Sequence, residues 1–102
     1  MQETVFKEIR IKLPDDIVDT ITSKEIIEML LDKALSKVEY YKSKCGEFEE
    51  KKGLDFVSFK KNVEESEEEV VADWDDLIVW EGYELGYKDW GKKYEELKSC
   101  MK

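Results

Sequence analysis

The sequence predicts a mainly α-helical single domain: an N-terminal β-strand followed by two long amphipathic helices in a helical hairpin, intertwined in a dimer. Three observations predict it. Apolar residues recur at spacings of 4 and 3 through residues 27–45 and again through 80–101, which is the period of one helix face packed on another. Charged residues make up 42% of the 102 residues against 41% apolar, so the core is narrow, and long helices suit a narrow core better than a sandwich does. One N-terminal stretch alternates with period two instead, the mark of a half-buried strand.

The strand is expected over residues 4–13. Val5, Ile9, Ile11 and Leu13 fall on one side, Phe6, Glu8, Arg10 and Lys12 on the other, and Lys7 is the single defect. Pro14 ends it. Asp15 and Asp16 then open a short helix over 15–21 that carries Ile17, Val18 and Ile21, with acids well placed near a helix N-terminus.

Thr22-Ser-Lys-Glu25 is a capping box, in which the Thr hydroxyl accepts from the Glu25 N–H and Glu25 reaches back. It opens a helix expected over 23–45. Ile27, Leu31, Ala34, Val38, Tyr41 and Cys45 form its a/d seam, widened by Ile26, Leu30 and Leu35, and Gly46 is a natural stop. Residues 46–65 form a connection: Glu47 to Lys52 is nearly all charge, Gly53 marks a turn, and Asp55 caps a short helix over 55–63 whose Phe56, Phe59 and Val63 share a face.

Ser66-Glu-Glu-Glu69 is a second capping box and opens the last helix, expected over 66–100. Its stripe runs Val70, Trp74, Leu77, Trp80, Tyr83, Tyr87, Trp90, Tyr94, Leu97 and Met101. Gly82 and Gly86 sit one turn apart beside it. Each costs about 1 kcal/mol against Ala in a helix interior. The pair therefore marks either a backbone approached by something bulky or a break near Gly82; a continuous or gently bent helix is the reading adopted.

Composition narrows the chemistry. Histidine is absent, which removes the commonest general base and metal ligand. Cys45 and Cys100 are too far apart for a Cys-x-x-Cys pair, and in the cytoplasm, where no signal-peptide core or membrane span directs the chain elsewhere, both are expected as reduced thiols. One Arg, one Asn and one Gln beside heavy Lys and Glu use suggest a thermophilic source. Asp73, Asp75, Asp76, Glu81 and Glu84 cluster in sequence but match neither a Glu-x-x-His metal pair nor a calcium loop. There is no Gly-rich phosphate loop and no nucleophile elbow. Catalytic, cofactor-binding and metal-ligating residues are expected to be none, and the protein is read as a non-enzyme.

The charge is split. Residues 1–45 carry eight bases and nine acids, a net of −1, while residues 46–102 carry nine bases and seventeen acids, a net of −8. The C-terminal half repels phosphate backbones and attracts basic proteins. Trp74, Trp80, Tyr83, Tyr87, Trp90 and Tyr94, with Ile27, Leu31, Val38 and Tyr41, are the residues expected to be buried by a second copy or a partner, because Trp and Tyr dominate interface hot spots. Asp75, Asp76, Glu81 and Glu84 are expected to steer a basic surface toward them. One alternative is a self-contained helical oligomer with the aromatic seam wholly in its core, a structural or scaffolding protein. A further alternative is a ribbon-helix-helix-like DNA-binding regulator in which Arg10 and Lys12, within residues 6–12, face the major groove.

The order of these segments resembles a group of short acidic proteins from archaea and thermophilic bacteria. The residues that carry the likeness are Ile9-Arg-Ile-Lys-Leu-Pro14-Asp15, the helix ending Tyr40-Tyr41-Lys-Ser-Lys-Cys45-Gly46, Phe56-x-x-Phe59, and Trp74-Asp-Asp-Leu-Ile-x-Trp80. Proteins of this sort resemble the antitoxin half of toxin–antitoxin pairs. The resemblance implies a protein that wraps or blocks a basic toxin through its acidic C-terminal region, often with an N-terminal dimerising or DNA-binding segment. No catalytic residues come with it.

Overall fold

The computed structural model describes residues 5–101. Four helices follow in order: α1 (Asp15–Val18), α2 (Ser23–Lys52), α3 (Phe56–Glu65) and α4 (Val71–Ser99). α2 and α4 lie antiparallel as a hairpin, since Lys52 meets Asp73 and Asp76 at one end and Leu30 lines a groove with Leu97 at the other. α3 closes the turn end. The molecule is a rod of 64 × 30 × 20 Å with a radius of gyration of 19.4 Å, against about 13 Å for a compact chain of this length.

The expected strand does not form. Residue 4 lies outside the described residues, and 5–13 run without secondary structure. A strand exists only when paired, and the described residues supply no second one. The alternation remains, with both sides exposed. The helix expected over 15–21 regularises only at Asp15–Val18, and the Thr20 hydroxyl donates to the Ile17 carbonyl at 2.8 Å to close its last turn.

Thr22 caps α2 as its sequence predicts, its hydroxyl accepting from the Glu25 N–H at 3.1 Å. The helix does not stop at Gly46. It continues to Lys52 and ends at Gly53, whose φ of 68° is the left-handed conformation that favours glycine, with its N–H on the Glu49 carbonyl at 2.8 Å. Glu47 to Lys52 are good helix formers, and Phe48 among them packs on the core. That outweighs the weak stop signal of one solvent-lined glycine.

Asp55 caps α3, its carboxylate accepting from the Ser58 N–H at 2.7 Å. This bond holds the Asp55 carboxyl below its ordinary range. The second capping box does not cap. Ser66 instead donates to the Glu68 carbonyl at 2.8 Å, residues 66–70 turn the chain around, and α4 begins at Val71. α4 then runs unbroken through Gly82 and Gly86.

Candidate interaction surface

Two facing stripes meet along the hairpin. On α2, Ala34 and Cys45 are buried, and Ile27, Leu31, Val38 and Tyr41 are half-buried between the helices. On α4, Leu77 and Trp80 are buried, Trp74, Tyr83, Trp90 and Tyr94 are half-buried, and Tyr87 is exposed. Ile26, Leu30 and Leu35, expected to widen the seam, are exposed beside it.

Trp80 is the centre of the core at 0% exposure. Its ring stacks on Phe48 at 5.4 Å and 13°, and Phe56 and Phe59 of α3 each lie tilted at 5.4 Å. Cys45, Val63 and Leu77 complete the cluster. The residue expected at a partner interface is therefore enclosed by α2, α3 and α4 of its own chain. Burial of this size stabilises by several kcal/mol. The indole N–H finds no acceptor among the described residues, so the ring is there for its volume and faces, not its polar tip.

The two glycines of α4 behave differently. At Gly86 the Tyr41 ring presses on the helix, and an added Cβ would lie 2.7 Å from Tyr41 Cε1. This is the close approach that the sequence suggests. At Gly82 an added Cβ would meet nothing within 4 Å.

Of the four acids expected to steer a partner, two are engaged within the chain. Asp76 pairs with Lys52 at 2.7 Å and Lys51 at 3.1 Å, and Glu81 pairs with Lys60 at 3.2 Å. Lys52 also reaches Asp73 at 3.4 Å and sits 5.0 Å from the Phe59 ring centre. The Lys52 and Lys51 ammonium groups hold the Asp76 carboxyl below its ordinary range, and hydrogen bonding to Asp76, then to Asp73, raises Lys52. This three-way contact fastens the end of α2 to the start of α4. Asp75 makes no ion pair among the described residues, and Glu84 faces Cys45 and Glu49 across a groove of about 340 Å³. Burial, with the Glu84 and Glu49 carboxylates, pushes the Cys45 thiol up to about 12. Such a thiol stays protonated and is no nucleophile at neutral pH. Cys45 and Cys100 are both free.

At the open end of the hairpin, Phe6 reaches a groove of about 330 Å³ that Leu30, Trp90, Leu97 and Cys100 line. Lys93 sits 4.4 Å over the Trp90 ring, and Lys98 sits 5.3 Å over Tyr94. Arg10 and Lys12 stand exposed on the irregular N-terminal segment. Among the described residues no group of three or more acidic or thiol side chains could hold a metal ion, and no helix is long and apolar enough to cross a membrane.

Two features are absent from the expected interface. Phe48 is the face on which Trp80 stacks, but it is hidden in a run of charged residues. Val71, Ile78 and Leu85 recur at a spacing of 7 on the side of α4 away from Trp80, and all three are exposed. Their period was available as a signal, masked by the heavier aromatics. Comparison with known proteins finds no match: no family model, no curated protein and no solved structure is similar to this chain.

Proposed function

We propose that this chain is a non-enzymatic, antitoxin-like interaction protein that forms a homodimer and binds a basic protein partner through its acidic C-terminal hairpin. The observation that carries this reading is the distribution of charge. Residues 62–87 contain ten acids and no Lys or Arg. Three of those acids, Asp73, Asp76 and Glu81, are paired with lysines of α2 and α3, and Glu84 faces Cys45, which leaves six of the ten to present their charge outward. A field of one sign draws in an oppositely charged protein.

Dimerisation rests on a second pattern. Among the described residues, eleven of the twenty-one exposed large apolar side chains fall between Val5 and Leu35, and concentrated exposed apolar surface marks an interface. A second copy is suited to that end of the rod, where the charge is close to neutral. Co-expression with the protein encoded by the adjacent reading frame, followed by pull-down, tests the reading. A stable complex whose partner is toxic when expressed alone is expected. Recovery of this protein alone, beside a harmless neighbour, overturns it.

The enclosure of Trp80 within one chain favours a second reading, a self-contained oligomer with no partner. Light scattering separates the two, because that reading requires the same closed assembly with and without the neighbouring protein.

A further inference from the structure

Residues 5–13 keep the alternation of a strand with nothing to pair on. Val5, Ile9 and Ile11 share one side and are exposed at 78%, 81% and 69%. Among the described residues, no backbone N–H or C=O group of 5–13 bonds to another part of the chain. Lys7, Glu8, Arg10 and Lys12 make no ion pair there either. Phe6 reaches the rim of the groove beside Trp90 but is 68% exposed, so the hairpin does not engage the segment.

We propose that residues 5–13 pair antiparallel with the same residues of a second copy, with Ile9 opposite Ile9 on the two-fold axis. The proposal rests on the homodimer of the reading above and names the segment that joins the copies. The sequence is self-complementary in this register. Val5 faces Leu13 of the other copy, Glu8 faces Arg10, and Phe6 faces Lys12, each occurring twice about the axis. Lys7, the one charged residue on the apolar side, faces Ile11, along which its stem lies while its ammonium reaches water.

Other registers lose this match. Sliding by two residues sets Glu8 against Glu8 in one direction and Arg10 against Arg10 in the other, and like charges directly opposite destabilise a strand pair. Sliding by one puts apolar side chains opposite polar ones. A parallel pair in register sets every charge beside its own equivalent. A two-stranded ribbon also needs a helix surface beneath its apolar side. Exposed Ile17 of α1 and Ile26 and Met29 of the first turns of α2 follow within twenty residues and supply one.

Two measurements on the full chain test this register. Analytical ultracentrifugation compares the native chain with Glu8→Arg, Arg10→Glu and the double exchange. All these side chains are exposed, so the hairpin is kept, which circular dichroism checks. Each single reversal turns two attractive pairs into two repulsive ones and weakens the dimer by about tenfold or more, and the double exchange restores it. Oxidation of Ile9→Cys, in a Cys100→Ser chain, gives a disulfide-linked dimer, since opposite Cα atoms lie about 4.5–5.5 Å apart. Lys7→Cys, four residues out of register with its own copy, does not link. A dimer that tolerates both reversals, a double exchange that fails to restore it, or equal linking at 7 and 9 overturns the ribbon and leaves the homodimer standing. A native chain that stays monomeric overturns both. Residues 5–13 shielded from protease only when the protein encoded by the adjacent reading frame is present would give the strand to that partner, and overturn the self-pairing as well.

Discussion

Gly82 and Gly86 sit one turn apart in the same helix, and the structure predicts opposite consequences for the same substitution. Gly82→Ala places a methyl in open space. It gains the helix propensity that glycine lacks, about 1 kcal/mol, and so raises the melting temperature by roughly 4–8 °C for a chain of this size. Gly86→Ala gains the same propensity, but its Cβ would lie 2.7–2.9 Å from three atoms of the Tyr41 ring. Tyr41 is itself held by Tyr40 and Tyr83, at 5.2 and 6.2 Å between ring centres, so it has little room to withdraw. Overpacking of this kind costs about 1–3 kcal/mol. The net change at Gly86 is therefore between zero and about 2 kcal/mol of destabilisation, and the gap between the two variants is about 1–3 kcal/mol. Urea unfolding followed by circular dichroism measures both, and a Tyr41→Ala/Gly86→Ala cycle isolates the contact, since the penalty disappears once the ring is gone. If Gly86→Ala stabilises as much as Gly82→Ala, the packing of Tyr41 on α4 is wrong. If Gly82→Ala destabilises, the face is already covered.

Other outcomes follow from the core, the ion pairs and the thiols. Trp80→Ala costs about 3–5 kcal/mol, read in the same unfolding experiment; a loss below 1 kcal/mol would show that the aromatic cluster of α2, α3 and α4 is not the core. Asp76 has its folded pKa lowered by Lys52 and Lys51, so its contribution is present at neutral pH and is lost as pH falls through the carboxylate range. Asp76→Asn thus flattens the acid limb of the stability profile, and an unchanged limb would remove the Lys52 contact from the account. Cys45 shifts in the opposite sense, from an ordinary 9.0 up to about 12. Between those values the unfolded chain gives up the proton and the folded chain keeps it, so stability falls as pH rises, and Cys45→Ala removes that slope. A thiol reagent at pH 8 should modify exposed Cys100 at once and buried Cys45 only on unfolding; two equally fast reactions would contradict the burial.

The heptad spacings on α2 and α4 were legible because a packed helix face must repeat with the helix, and Ile27, Leu31, Val38 and Tyr41 do turn inward. The caps at Thr22 and Asp55 were legible because a side-chain oxygen there has one obvious donor. Gly46 misled as a stop, since the residues after it bind the core through Phe48 and the left-handed turn falls at Gly53. The strand expected at 4–13 depends on a pairing that the described residues do not supply. Which face of α4 is left uncovered was not legible either: α3 folds back over Trp80, and only that tertiary event turns the seam into core. It also leaves Ile78 and Leu85 outside.

The claim on which the rest depends is that Trp80 is enclosed by its own chain, so that any partner binds elsewhere. The direct measurement is tryptophan fluorescence of the Trp74→Phe/Trp90→Phe variant, in which Trp80 is the sole emitter, across a dilution series and with the protein encoded by the adjacent reading frame added. Blue-shifted, quencher-protected emission that neither dilution nor binding changes is the predicted result. Emission that shifts to the red on dilution, or to the blue only when a partner binds, would contradict it.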